Sequence, residues 1–193
     1  MPHIKNALIR YRIIDRCIRN KYKPYPSKQE LREACEEELY GSIGGGHRNV
    51  AGYASSVSGG SSNTAFGSHG NIAGGSNNNV NSDYGSIGGG TDNVAGYYAT
   101  VSGGELNTAL GYHSTVSGGH GNLANGYVAS VGGGESNQAG YYATVSGGEF
   151  NTALGYHAAI IGGRQNVASS FMATVAGGEY NTASDHHAFV GGG

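Results

Sequence analysis

The sequence is poor in several residue types that help small domains to hold together. It has no tryptophan, two cysteines and three prolines in 193 residues. Both cysteines, Cys17 and Cys35, lie in the first forty residues, so the rest of the chain has no disulfide framework. No apolar run approaches the roughly 20 residues that a membrane-spanning helix needs. The first twenty residues mix charged and apolar positions, so we expect no signal peptide, and the cellular location stays open.

Basic residues are also scarce after residue 40. That part of the chain has two basic residues, Arg48 and Arg164, and seven acidic residues, so its net charge is −5. Residues 1–40 carry nine basic and six acidic residues and are net +3. This asymmetry indicates two modules, 1–41 and 42–193. All 37 glycines lie after residue 40. The second module has no collagen triplet, and its strict hydrophobic register is unlike that of a flexible glycine linker.

The second module repeats one pattern every 14 or 15 residues. An aliphatic residue is followed two places later by Gly-Gly, six places later by asparagine and eight places later by alanine, which Val80 replaces once. The aliphatic positions are Ile43, Val57, Ile72, Ile87, Val101, Val116, Val131, Val145, Ile160, Val175 and Val190. So strict a period predicts a mainly β fold, a parallel β-solenoid of about ten coils.

Each coil is expected to contain two extended stretches of four or five residues and two turns. Its interior would hold only valine, isoleucine and alanine, so we expect that one chain cannot close its own core. The aliphatic column would then be a core or a seam shared between chains. The asparagine column is Asn49, Asn63, Asn78, Asn93, Asn107, Asn122, Asn137, Asn151, Asn166 and Asn181. Stacked about 4.8 Å apart, these amides can bond to one another and to turn backbone.

Candidate chemistry is sparse. No nucleophile–base motif is present, so we expect no enzyme activity, and we expect no cofactor. His69, His113 and His157 recur every 44 residues, which is three coils or about 14 Å. That spacing is too wide for one metal ion, so no metal site is expected. An acidic edge is formed by Glu105, Glu135, Glu149 and Glu179.

Tyrosines recur around the return turns. They are Tyr97, Tyr98, Tyr112, Tyr127, Tyr141, Tyr142 and Tyr156. Tyrosine is common at binding surfaces, and it also packs as a ladder on the flank of a stack. Both interpretations, a binding surface and a packing ladder, stay open.

The segment ATVSGGEFNTALGYHAAIIGG, residues 143–163, resembles the YadA-like head repeats of trimeric autotransporter adhesins. Related repeats occur in phage tail fibres. The resemblance covers about residues 42–193 and implies a left-handed parallel β-roll that closes as a homotrimer. It also implies a non-enzymatic fibre segment that adheres to a host-surface protein or a glycan. We expect a trimer that does not dissociate before it unfolds.

The first module has a helical period. Its apolar positions are Ile4, Leu8, Tyr11, Ile14 and Ile18. Ser27 and Glu30 form a capping box for a second helix, so a short helical hairpin is predicted. Residues 5–42 resemble the first two helices of WYL-domain transcriptional regulators of the Bacteroidetes type. The recognition helix does not follow, so sequence-specific DNA binding is not expected. The alternative function is a remnant of such a regulator, with the β-roll as its oligomerisation module.

Overall fold

The computed structural model describes residues 41–193, together with Ser27 and Gln29. The predicted helical hairpin of residues 1–41, with both cysteines, therefore lies outside the described residues, apart from those two positions and Gly41.

The described part of the chain is built from twenty-one strands of two residues each. The odd-numbered strands are β1 Ser42–Ile43, β3 Ser56–Val57, β5 Asn71–Ile72, β7 Ser86–Ile87, β9 Thr100–Val101, β11 Thr115–Val116, β13 Ser130–Val131, β15 Thr144–Val145, β17 Ala159–Ile160, β19 Thr174–Val175 and β21 Phe189–Val190. The even-numbered strands are β2 Val50–Ala51, β4 Thr64–Ala65, β6 Asn79–Val80, β8 Val94–Ala95, β10 Thr108–Ala109, β12 Leu123–Ala124, β14 Gln138–Ala139, β16 Thr152–Ala153, β18 Val167–Ala168 and β20 Thr182–Ala183.

The strands form two parallel sheets, one of eleven odd strands and one of ten even strands, each in sequence order. Every strand pairs with the equivalent strand one coil away, as when Val101 lies opposite Val116. A third column of parallel bridges runs from His47 to Glu179. The predicted mainly β solenoid of about ten parallel coils is confirmed.

The strands are shorter than expected because each coil contains two residues in the left-handed backbone region besides the second glycine of its pair. One precedes each asparagine, as at Leu106 (φ 57°), and one lies at the return turn, as at His113 (φ 59°). Outside glycine this conformation costs roughly 1–2 kcal/mol per residue. The preceding coil supports it: the Leu106 amide donates to the Thr91 carbonyl at 3.0 Å, and the His113 amide donates to the Tyr97 carbonyl at 3.3 Å.

The aliphatic column is the interior of the single chain. From Val57 to Val175 its side chains are 0–1% exposed, and they pack against a facing column of alanines such as Ala109 and Ala124. Only the first member, Ile43, is largely exposed. The expectation that one chain cannot close its core is therefore wrong. The predicted seam between chains is corrected as well, because side chains enclosed by their own coils cannot contact a partner chain.

Val80, the one exception to the alanine column, is accommodated by two glycines. It is as fully buried as the alanines. A Cβ added at Gly85 would lie 2.7 Å from the Val80 Cγ1 atom, and one added at Gly70 would lie 2.9 Å from it. The equivalent positions in most other coils are alanines such as Ala99 and Ala129. The extra volume at residue 80 is thus offset by methyl groups removed from the same core layer.

The asparagine column joins consecutive coils through the backbone. The Asn107 amide nitrogen Nδ2 donates to the Gly103 carbonyl at 3.0 Å and to the Gly119 carbonyl, one coil further on, at 2.8 Å. Its Oδ1 accepts the backbone N–H of Asn122 at 3.0 Å. The same pattern recurs along the column. Among the described residues a direct amide-to-amide bond is present only between Asn122 and Asn107, at 3.1 Å, so the predicted amide-to-amide ladder is mainly a side-chain-to-backbone ladder.

The two glycines of each pair have different roles. The first, such as Gly103, has nothing within 4 Å of the place where a Cβ would stand. The second, such as Gly104, has φ +87°, and a Cβ there would overlap the Gly119 carbonyl oxygen and lie 2.6 Å from Asn107 Nδ2. Only the second glycine allows the close approach of consecutive coils at the asparagine corner.

This difference predicts that Gly104→Ala destabilises the protein by roughly 3 kcal/mol or more, because it adds both backbone strain and steric overlap. Gly103→Ala is the matched control and should change the free energy of unfolding by no more than about 0.5 kcal/mol. Chemical denaturation followed by circular dichroism measures both values. Equal effects of the two substitutions would contradict the assignment of roles.

A second prediction concerns two buried serines at equivalent positions. Ser55 Oγ donates to the Gly52 carbonyl at 2.8 Å, with the Ala65 carbonyl also within 3.0 Å, whereas Ser114 Oγ is buried without a partner. Because an unpaired buried hydroxyl is unfavourable, Ser114→Ala should stabilise the fold by about 1 kcal/mol, while Ser55→Ala should destabilise it by about 1 kcal/mol. Thermal melting of the two variants should shift in opposite directions, and shifts of the same sign would refute this account.

A third prediction tests the asparagine column. Asn107→Ala should cost on the order of 1–3 kcal/mol, because the buried N–H of Asn122 loses its acceptor. Asn125→Ala is the control, since Asn125 is exposed and no bond to its side chain is present. If the two variants unfold at the same denaturant concentration, the asparagine column does not hold the coils together.

Candidate functional site

The return turns place two residues of every coil, at least one of them exposed, along one edge of the solenoid. In the coil that follows Val101 these are Tyr112 and His113, where the chain turns from β10 back to β11. The second residue of the pair is the left-handed one, and its N–H donates to the first residue of the preceding coil, as from Val128 to Tyr112 at 2.8 Å. This fixed geometry repeats the side chains of the turns at the spacing of the coils.

Aromatic rings occupy most of these positions and form a continuous array that we call the aromatic column. Its members are Tyr53, His69, Tyr84, Tyr97, Tyr98, Tyr112, His113, Tyr127, Tyr142, Tyr156, His157, Phe171, His186 and His187. It extends through all the complete coils that the structure describes.

Rings of successive coils stack on one another along the axis. Tyr84 and Tyr98 are stacked with centroids 4.6 Å apart and planes 10° apart, and Tyr112 and Tyr127 are stacked at 5.4 Å and 1°. Because the ring faces cover each other, the column presents ring edges and phenol groups to solvent. Aromatic pairs of this kind contribute about 0.5–1.5 kcal/mol beyond their buried area.

Two phenol groups of the column have a raised pKa. Partial burial raises the pKa of Tyr98 above the usual tyrosine value, and the neighbouring phenols of Tyr84, Tyr97 and Tyr112 raise it further. Partial burial also raises the pKa of Tyr142, with Tyr156 as the next largest cause. The hydroxyls of Tyr98 and Tyr142 therefore stay uncharged and can donate or accept hydrogen bonds.

The structure brings six of the seven predicted tyrosines into the aromatic column. Tyr141 is the exception: it is 60% exposed and makes no ring contact within the described part of the chain. The column is thus a packing ladder, as one interpretation predicted, and it is also half-exposed, as a binding surface requires. Sequence analysis did not include Tyr53, Tyr84 or Phe171, although the turn position that they share repeats at the coil period.

The histidines belong to the same edge. His69, His113 and His157 each contact a tyrosine ring, for example His69 on Tyr84 with centroids 4.9 Å apart. Residues 41–193 contain no group of three or more histidine, cysteine or acidic side chains placed to hold a metal ion.

The predicted acidic edge is a mixed column. Glu105, Glu135, Glu149 and Glu179 lie in the third bridge column, which also contains His120 and Arg164. Arg164 pairs with Glu149 at 3.7 Å between Nε and Oε2, and both side chains are half-exposed. An open groove beside them is lined by three glycines and by Glu149, Arg164 and Glu179. Exposed pairs of this kind contribute little, about 0–1 kcal/mol, and they do not form a chemical site.

Sequence analysis missed a set of exposed apolar side chains next to the even strands. Phe66, Leu110 and Leu154 directly follow β4, β10 and β16, and Leu106 and Phe150 lie at the left-handed corner before the asparagine; we call these five the apolar face. Equivalent members are 44 residues, or three coils, apart. This 44-residue repeat was the feature of the sequence from which the apolar face could have been predicted.

No helix in the described residues is long and apolar enough to cross a membrane. No protein-family model matches the chain, and no curated protein matches it. The similarities to adhesin heads and to WYL-domain regulators therefore stay predictions from their motifs.

Proposed function

We propose that residues 42–193 are a non-enzymatic structural and adhesive fibre segment that assembles as a homotrimer. The observation that carries the proposal is the unbroken parallel pairing from β1 to β21. Ten steps of about 4.8 Å give a stack roughly 48 Å long. A stack that repeats the same contacts without interruption is suited to extend a surface in one direction.

The apolar face supports self-association. Large apolar side chains that stay exposed can mark an interaction site, and here they recur at every third coil on a stack whose interior is already closed. The outer side of the odd-strand sheet differs, because small uncharged side chains such as Thr100, Ser102, Thr115 and Ser117 predominate there. We assign the contact between chains to the apolar face for this reason.

The aromatic column supports the adhesive part of the proposal. It lies along the edge formed by the return turns, and tyrosine is enriched at protein interfaces. Its hydroxyls, which can donate or accept hydrogen bonds, suit a host-surface protein or a glycan receptor.

The mass of the assembly tests the proposal. Light scattering should give about three times the 19.7 kDa chain mass. A folded monomer of the unsubstituted protein at micromolar concentration would contradict it.

A pair of matched substitutions tests which surface is used for assembly. Leu154→Asp should reduce the mass to that of one chain, with the β circular dichroism signal retained because the core closes within a single chain. Ile161→Asp, on the odd-strand side and 60% exposed against 50% for Leu154, should leave the mass unchanged. Loss of assembly in both variants, or in neither, would show that the apolar face is not the contact.

A further inference from the structure

Seven tyrosines form an unbroken run within the aromatic column. They are Tyr84, Tyr97, Tyr98, Tyr112, Tyr127, Tyr142 and Tyr156. From one coil to the next their ring centroids are 4.6–5.5 Å apart when each ring is taken with its nearest neighbour. The fold therefore holds phenol side chains of consecutive coils side by side, at a spacing that a free pair in solution would reach only by collision.

Two pairs in this run have nearly parallel rings. Tyr84 and Tyr98 lie 4.6 Å apart at 10°, and Tyr112 and Tyr127 lie 5.4 Å apart at 1°. Tyr97 and Tyr98, which are neighbours in sequence, instead meet edge to face at 80°. Two phenoxyl radicals combine through their ortho carbons from a stacked encounter, so the parallel pairs are in a coupling geometry and the edge-to-face pair is not.

We propose that the aromatic column is an oxidative cross-linking site, at which Tyr84 couples to Tyr98 and Tyr112 couples to Tyr127 as dityrosine. The co-reactant is a peroxide acting through a haem peroxidase. Each phenol loses one electron and one proton, and the two phenoxyl radicals form one carbon–carbon bond between ortho positions. On each ring the proton of the bonded ortho carbon then moves to the oxygen, which restores the aromatic ring and the hydroxyl. The peroxide accepts the two electrons and two protons and is reduced to two waters.

The rings are accessible to such an oxidant, since all four are exposed at the turns. Burial and the neighbouring phenols raise the pKa of Tyr98, so its phenol holds the proton that leaves together with the electron in the first step.

The cross-link would join one coil to the next and close a loop of 14 or 15 residues. A covalent bond across such a loop restricts the unfolded chain, as a disulfide of similar span does. Residues 41–193 contain no cysteine, so a tyrosine bond is the covalent reinforcement that this part of the chain can form. The effect does not depend on the proposed fibre function.

The experiment treats the dilute full-length protein with hydrogen peroxide and a haem peroxidase, without denaturant. Dityrosine fluorescence, the chain mass on a denaturing gel and mass spectrometry of the digested monomer band are measured. We expect cross-linked peptides that join Tyr84 to Tyr98 and Tyr112 to Tyr127 within one chain, at a yield independent of protein concentration. We also expect a higher thermal midpoint after oxidation.

Two variants distinguish the stacked pairs from exposed tyrosine in general. Tyr98→Phe keeps the ring but should abolish the peptide joined at Tyr84 and leave the Tyr112–Tyr127 peptide intact. Tyr141→Phe, outside the column and 60% exposed, should change neither. Cross-links found only between chains, a yield that rises with protein concentration, or equal losses in the two variants would each overturn the proposal.

Discussion

The whole structure depends on how closely consecutive coils approach at the asparagine corner. There the second glycine of each pair, such as Gly104, lies so near the carbonyl of the next coil that no side chain fits. The neighbouring asparagine then reaches carbonyls of both coils and accepts the next backbone N–H. Because a buried amide without partners would be costly, glycine and asparagine must recur together, and this explains the constancy of the motif.

The same corner explains why a chain with so few large side chains forms a closed core. Once the coils are held in register, the aliphatic column and the facing alanines fill the interior completely. The return turns include residues with a strained backbone conformation. Val128 has φ 53°, which is unfavourable for a β-branched residue, and it is held by the bond from its N–H to the Tyr112 carbonyl of the preceding coil. The exposed side chains do not contribute to this core, so their identity can vary. The apolar face and the aromatic column are two such exposed sets.

Much of this architecture could be predicted from the sequence, because the period, the inward valines and the asparagine column follow directly from spacing. The strand length and the closure of the core could not. Leu106 and Phe150 adopt the left-handed conformation although they are not glycine. The sequence therefore did not indicate the sharp corners that shorten the strands. Closure within one chain depends on that tighter coil. The period predicted where the tyrosines lie. It could not predict the parallel stacking of Tyr112 and Tyr127, because that depends on the orientation of the rings.

Amide hydrogen exchange of the asparagine backbone tests the central claim most directly, because each N–H from Asn63 to Asn166 is bonded to the side chain of the preceding asparagine. We predict that these amides exchange as slowly as those of the buried valines, and that they exchange at a common rate along the stack, as one cooperative unit. Exchange of these amides at the rate of solvent-exposed positions, while the valine amides stay protected, would contradict the account.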